Sequence, residues 1–134
     1  MANTTFSGPV RSENGFEQVT KNATTGAFTT SATYDATIIG GVQSLSGAGA
    51  VDLTNLITEL TTTGANALTL ADGTTSGQVK IVNMIVDGGD GTLTPVTFAN
   101  GTTITFDAVA ESVTLVWNST IGWVATSVNG ATVA

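Results

Sequence analysis

Apolar and polar positions divide this chain unevenly. From residue 1 to about Gly41 the apolar residues stand alone, at Phe6, Val10, Phe16, Val19, Phe28 and Tyr34, without helical spacing and with only weak alternation. A segment patterned in this way builds no core of its own. Two readings stay open: a disordered tail, or an extended arm lying across another surface with Phe6, Pro9, Val10, Arg11 and Phe16 as anchors. Phe6, Phe16, Phe28 and Tyr34 give the segment a reason to dock. Arg11 and Lys21 lie here too, beside Glu13 and Glu17. Ile38-Ile39-Gly40-Gly41 reads as a boundary, so the expected organisation is an arm over residues 1–41 and a β domain over residues 42–134.

Beyond the boundary the pattern is that of strands. Val42 to Leu45 and Ala50 to Leu53 read as short strands around the Ser46–Gly49 turn cluster. Leu53, Leu56, Ile57 and Leu60 also fit a helical period, but the alternation at Val51–Thr54 favours a strand with a bend near Asn55. Ala67 to Leu70 alternates, with Leu68 and Leu70 on one side. Val79 to Val86 is apolar almost throughout, which predicts a strand covered on both faces. In so small a domain one cover is the core and the other a neighbouring subunit, with Val82, Met84 and Val86 as the expected interface residues. Thr92 to Phe98 carries Pro95, which donates no ladder bond and predicts an edge or a bulge. Thr103 to Phe106 alternates. Val113, Leu115 and Trp117 face one way, and Trp123 to Ser127 returns as a hairpin partner across the Asn118–Gly122 loop. The two tryptophans flank that loop, where large rings pair across strands. Core packing is their first expected role, and a sugar-stacking platform the second.

Asp72-Gly73, Asn100-Gly101 and Asn129-Gly130 punctuate this half of the chain. Such dipeptides suit two-residue hairpin turns, which need positive φ at both central positions. Leu70-Ala71-Asp72-Gly73-Thr74-Thr75 and Phe98-Ala99-Asn100-Gly101-Thr102-Thr103 nearly repeat, at an interval of roughly 28 residues within the usual range of structural repeats. The expected fold class is all-β: a compact β-sandwich or jelly-roll-like domain preceded by an extended N-terminal arm.

Composition agrees and narrows the partners. The chain has 134 residues, enough for one core, and only 10% are charged against roughly 25% in ordinary soluble proteins. Thr, Ser, Asn and Gly fill the gap, and Thr suits a pleated surface. Net charge is -7, with Arg11, Lys21 and Lys80 as the three basic residues. No basic patch can be built from these, so neither nucleic acid nor an anionic membrane is an expected partner. No run of apolar residues is long enough to span a bilayer, and the start lacks a basic-then-apolar signal pattern.

Little chemistry is visible. Cysteine and histidine are absent, which removes disulfides, thiolates, the usual base of nucleophile triads and the commonest zinc ligand. Asp87-Gly88-Gly89-Asp90 lacks the alternating carboxylates and closing Glu of a calcium loop, and reads as an acidic turn. There is no phosphate-binding glycine loop. Asp107 and Glu111 are expected to be solvated. The Asn-x-Thr triplets at Asn3, Asn22, Asn100 and Asn118 follow from so much Asn and Thr. The expectation is a non-enzyme without metal or cofactor.

Residues Leu68-Thr69-Leu70-Ala71-Asp72-Gly73-Thr74, Gly77-Gln78-Val79-Lys80, Gly101-Thr102-Thr103-Ile104-Thr105-Phe106-Asp107-Ala108-Val109, Val113-Thr114-Leu115-Val116-Trp117 and Gly122-Trp123 give this half a recognisable cast. It resembles the small β domains of tailed-bacteriophage structural proteins, especially marine and cyanophage ones. The opening Met1-Ala2-Asn3-Thr4-Thr5-Phe6-Ser7-Gly8-Pro9-Val10-Arg11-Ser12 resembles short phage proteins encoded among the head genes. The resemblance implies a capsid decoration (cement) protein or head fibre, homotrimeric and without catalytic residues. It implies assembly in the host cytoplasm onto the virion exterior, with the major capsid protein as partner. A head- or tail-fibre subunit that binds host glycans is the alternative. An acidic body suits the outside of a shell better than the DNA-facing inside.

Overall fold

The computed structural model describes residues 16–34 and 41–134, and for the strands β1 (Phe16–Lys21) and β2 (Phe28–Tyr34) it describes the backbone alone. The expected anchors Phe6, Pro9, Val10 and Arg11 lie outside the described residues. The chain divides into two units, Met1–Ile39 and Gly40–Ala134. In the first, β1 and β2 pair antiparallel, from Phe16 opposite Tyr34 to Lys21 opposite Phe28. Asn22 organises the turn between them. Its side-chain oxygen accepts from the amides of Thr24 and Thr25, and Gly26 closes the turn at φ 73°. The expected anchor Phe16 is thus the first residue of a hairpin strand.

The second unit is built only of strands among the described residues. They are β3 (Val42–Ser46), β4 (Gly49–Val51), β5 (Ile57–Thr61), β6 (Asn66–Leu70), β7 (Val79–Val86), β8 (Gly91–Pro95), β9 (Ile104–Phe106), β10 (Ser112–Asn118), β11 (Gly122–Asn129) and β12 (Thr132–Val133). They form two five-stranded sheets, ordered β11-β10-β7-β5-β3 and β12-β9-β8-β6-β4. The all-β sandwich expected from the alternation is what the chain forms.

Its connectivity is that of a short coil. β3-β4, β5-β6 and β7-β8 are successive turns, each giving one strand to each sheet, and equivalent strands stack in parallel. Val42 lies beside Ile57 and Ile57 beside Ile81. The last four strands then run antiparallel and close the stack. At the β5–β6 and β7–β8 corners Gly64 and Gly89 lie on one another, both at positive φ. A Cβ on Gly89 would stand 2.7 Å from the Gly64 carbonyl carbon, so only glycine lets successive coils approach there.

Inward-facing residues of both sheets make one core: Leu60, Val82, Met84, Val113, Leu115, Trp117 and Trp123 from one, Val51, Leu68, Leu70, Leu93, Ile104 and Phe106 from the other. Alternation along each strand decides which residues enter. Several expectations change here. Leu53 to Leu56 is a bend between β4 and β5, neither helix nor strand. Pro95 ends β8, a strand interior to its sheet, and is buried opposite Leu70; a terminal position needs no bulge.

None of the three glycine dipeptides makes a two-residue hairpin. Asp72-Gly73 and Asn129-Gly130 carry the chain from one sheet to the other, and Asn100-Gly101 lies in the wider loop from β8 to β9. Asp72, Asn100 and Asn129 all keep negative φ, against the requirement of the expected turn. Gly73 is needed for proximity, since a Cβ there would overlap the Trp117 ring. The tight hairpin is β10–β11, where Asn118 faces Gly122 and Gly122 takes φ 92°. Loop residues 97–99 bond to the far edge of β11 around Trp123, which removes that edge from solvent pairing.

Candidate functional site

Two features stand out: the outward face of the first sheet, and a polar cluster buried between the sheets. On β7 the side chains alternate strictly until its end. Lys80, Val82 and Met84 point inward, whereas Val79, Ile81 and Asn83 point out. Val82 and Met84, expected at a subunit interface, are 0% and 1% exposed within the core of their own chain. They have no surface to offer a second molecule. Val86, beyond a register shift opposite β5, is 48% exposed and remains accessible.

The residues that face outward line up by register. Val42, Ile57 and Ile81 form one row across β3, β5 and β7, and Val79, Val116 and Val124 form a neighbouring row across β7, β10 and β11. The next row is polar, with Ser44, Glu59, Asn83 and Ser112. Asn83 Oδ1 is buried and has no hydrogen-bond partner among the described residues. Half of this face is therefore an apolar stripe, part exposed, and the other half a Ser/Glu/Asn ladder.

The buried cluster is centred on Lys80, whose side chain is 1% exposed. Nζ donates to the backbone oxygen of Asn55 at 2.9 Å and lies 3.6 Å from Asp52 Oδ1. Asp52 Oδ1 accepts from the amides of Thr54 and Asn55, and Oδ2 accepts from Asn55 Nδ2 at 2.7 Å. Gln78 Nε2 donates to the Leu53 oxygen, so two polar side chains from the third coil hold the carbonyls of the 53–56 bend. Gln43 ties the first coil together, donating to the Ala50 oxygen and accepting from the Asp52 amide and the Thr58 hydroxyl. Lys80, Asp52, Gln78 and Gln43 thereby all find partners, which keeps their burial from costing several kcal/mol.

Charge in this cluster is tuned by burial. Desolvation pushes the Lys80 ammonium below its ordinary pKa, and the charge and hydrogen bond of Asp52 pull only partly against it. Burial alone would raise Asp52. Hydrogen bonds from the Asn55 backbone and side chain, with the Lys80 charge, outweigh it and hold the carboxyl below its usual range. In the sequence Lys80 stands only as one of three basic residues. Its parity with Val82 and Met84 was the available signal, because residues two apart share a face.

The other candidates resolve plainly. Trp117 and Trp123 face each other in register, ring centroids 5.4 Å apart and 59° inclined. They are 7% and 0% exposed, so they pack the core and offer no ring face for a sugar. Glu111, expected in solvent, is buried, and its Oε2 accepts from the Asp107 amide at 2.7 Å to close the loop before β10. Asp87 and Asp90 are exposed turn residues, and no group of three potential metal ligands occurs among the described residues. No protein family matches the chain, and none of the curated proteins compared with it is similar to it.

Proposed function

We propose that this chain is a structural protein of a bacteriophage virion, a capsid decoration protein that binds the outside of the head shell and bridges subunits of the major capsid protein. The observation that carries this reading is the registered apolar stripe Val42–Ile57–Ile81 beside Val79–Val116–Val124 on the outward face of a small acidic β domain. Apolar surface gathered on one face is the ordinary mark of protein association. Three copies meeting through this face and Val86 would form the homotrimer, and residues 1–41 would dock on the shell. Repetition around a local symmetry axis would raise the effective concentration of each arm. The buried tryptophans weigh against the glycan-binding fibre.

Deletion of residues 2–20 is the direct test. The truncated protein is expected to keep the β domain and lose binding to purified shells; full binding would refute the docking role. Counting copies in purified virions separates shell from fibre, since hundreds of copies fit only the shell. Ile81→Ser is expected to lower the oligomeric state in sedimentation without unfolding the domain.

A further inference from the structure

The buried cluster around Lys80 has a composition that simple packing does not need. An apolar residue between the sheets would fill the same space without desolvating a charge, and such replacements are often neutral or stabilising. Here the amine instead meets the main-chain oxygen of Asn55 and the Asp52 carboxylate, and that carboxylate in turn holds the Asn55 carboxamide on the same loop. Nζ is 2.9 Å from the main-chain oxygen of Asn55, the residue whose side-chain nitrogen donates to Asp52 Oδ2 at 2.7 Å. The other oxygen of the same carboxylate faces Nζ at 3.6 Å. Asp52 thus stands between a nucleophile and the nitrogen that would have to leave. Leu115, fully buried, is the cross-strand neighbour of Lys80 and helps keep water away.

We propose that Lys80 and Asn55 form an intramolecular isopeptide bond, with Asp52 as the proton carrier. Asp52 takes one proton from the Nζ ammonium, and the freed amine pair attacks Cγ of Asn55. The tetrahedral intermediate collapses as Asp52 returns a proton to Nδ2. The Cγ–Nδ2 bond breaks, Asp52 takes the second Nζ proton and passes it to the departing ammonia, which leaves as ammonium, and a secondary amide joins the two side chains. No oxidant, metal or external reactant enters the balance. Burial lowers the Lys80 pKa, which increases the fraction of neutral amine. The bond would tie the bend after the first coil to the strand that opens the third, so that the coils could not separate lengthwise.

The experiment is intact-mass and peptide mass spectrometry on the full purified chain after days at growth temperature. The expected result is a mass short of the sequence by one ammonia and a branched peptide joining Asn55 to Lys80. Asp52→Ala should restore the full mass while far-UV circular dichroism still reports a folded domain. Lys80→Arg should do the same, and if Arg is not tolerated the Asp52 variant alone decides. A wild-type chain of full mass overturns the proposal. So does an ammonia loss that maps to a succinimide at Asn100-Gly101 or Asn129-Gly130, or one that survives Asp52→Ala.

Discussion

Replacing Trp123 by Phe should destabilise the domain more than the same change at Trp117, although the two rings are direct partners. Both substitutions remove the second ring of an indole from the core, at about 1–2 kcal/mol each by burial arithmetic. Both also weaken the same aromatic pair, so that contribution cancels in the comparison. The difference lies in the polar edge. Trp123 Nε1 donates to the Ala71 carbonyl at 2.9 Å, joining β11 in one sheet to the end of β6 in the other, whereas Trp117 makes no such side-chain bond with a described residue. Losing that bond costs about 1 kcal/mol, and up to about 3 kcal/mol if the carbonyl finds no water. Trp123→Phe is therefore expected to cost about 2–4 kcal/mol and Trp117→Phe about 1–2 kcal/mol. Trp117 has the further relief of being 7% exposed, against 0% for Trp123. Urea unfolding followed by far-UV circular dichroism gives both values, and unchanged m-values license the subtraction. Equal costs, or the larger cost at Trp117, would refute the assignment of the intersheet hydrogen bond.

Two further outcomes follow from single residues. Ala110 holds φ 72° while its amide donates to the Met84 oxygen, a left-handed conformation that costs a non-glycine residue about 1 kcal/mol. Ala110→Gly should raise Tm by a few degrees, and a fall in Tm would show that the loop is unstrained. Asp52 has its folded pKa below its unfolded one, so its contribution is complete above the unfolded value and disappears as pH falls through the folded value. Acid titration of stability should be shallower in Asp52→Asn than in the wild type below the ordinary carboxylate pKa, and identical slopes would contradict the shift.

Much of this molecule could be read along the chain because strand structure is a local signal. A period of two places Leu68 with Leu70 and Val113 with Leu115 and Trp117, and those residues are buried together. The pairing of Trp117 with Trp123 followed from the short loop between them. The errors have one physical origin. Val79, Ile81 and Ile85 lie on one side of the strand and Val82, Met84 and Val86 on the other, so composition hid the alternation. Such a strand reads as covered on both faces, whereas Val82 and Met84 belong to the core side of their own chain and not to a subunit interface. Lys80 shares the parity of Val82 and Met84, but the polar partners that make its burial tolerable, Asp52 and Asn55, lie in a distant bend that no local pattern shows.

The sequence by itself determined that the domain is all-β, where most of its strands lie, and that glycine turns separate them, because backbone propensity and side-chain alternation act over a few residues. Only the tertiary structure decided which strands the turns connect. Asp72-Gly73 tolerates a sharp change of direction but does not specify whether the next strand pairs beside the last or crosses to the opposite sheet. Closing a coil is a choice among partners far apart in sequence, settled by the joint burial of Leu60, Leu68, Met84 and Leu93 and by the approach of Gly89 to Gly64. Those contacts exist only when all three turns are stacked, and no local pattern carries them.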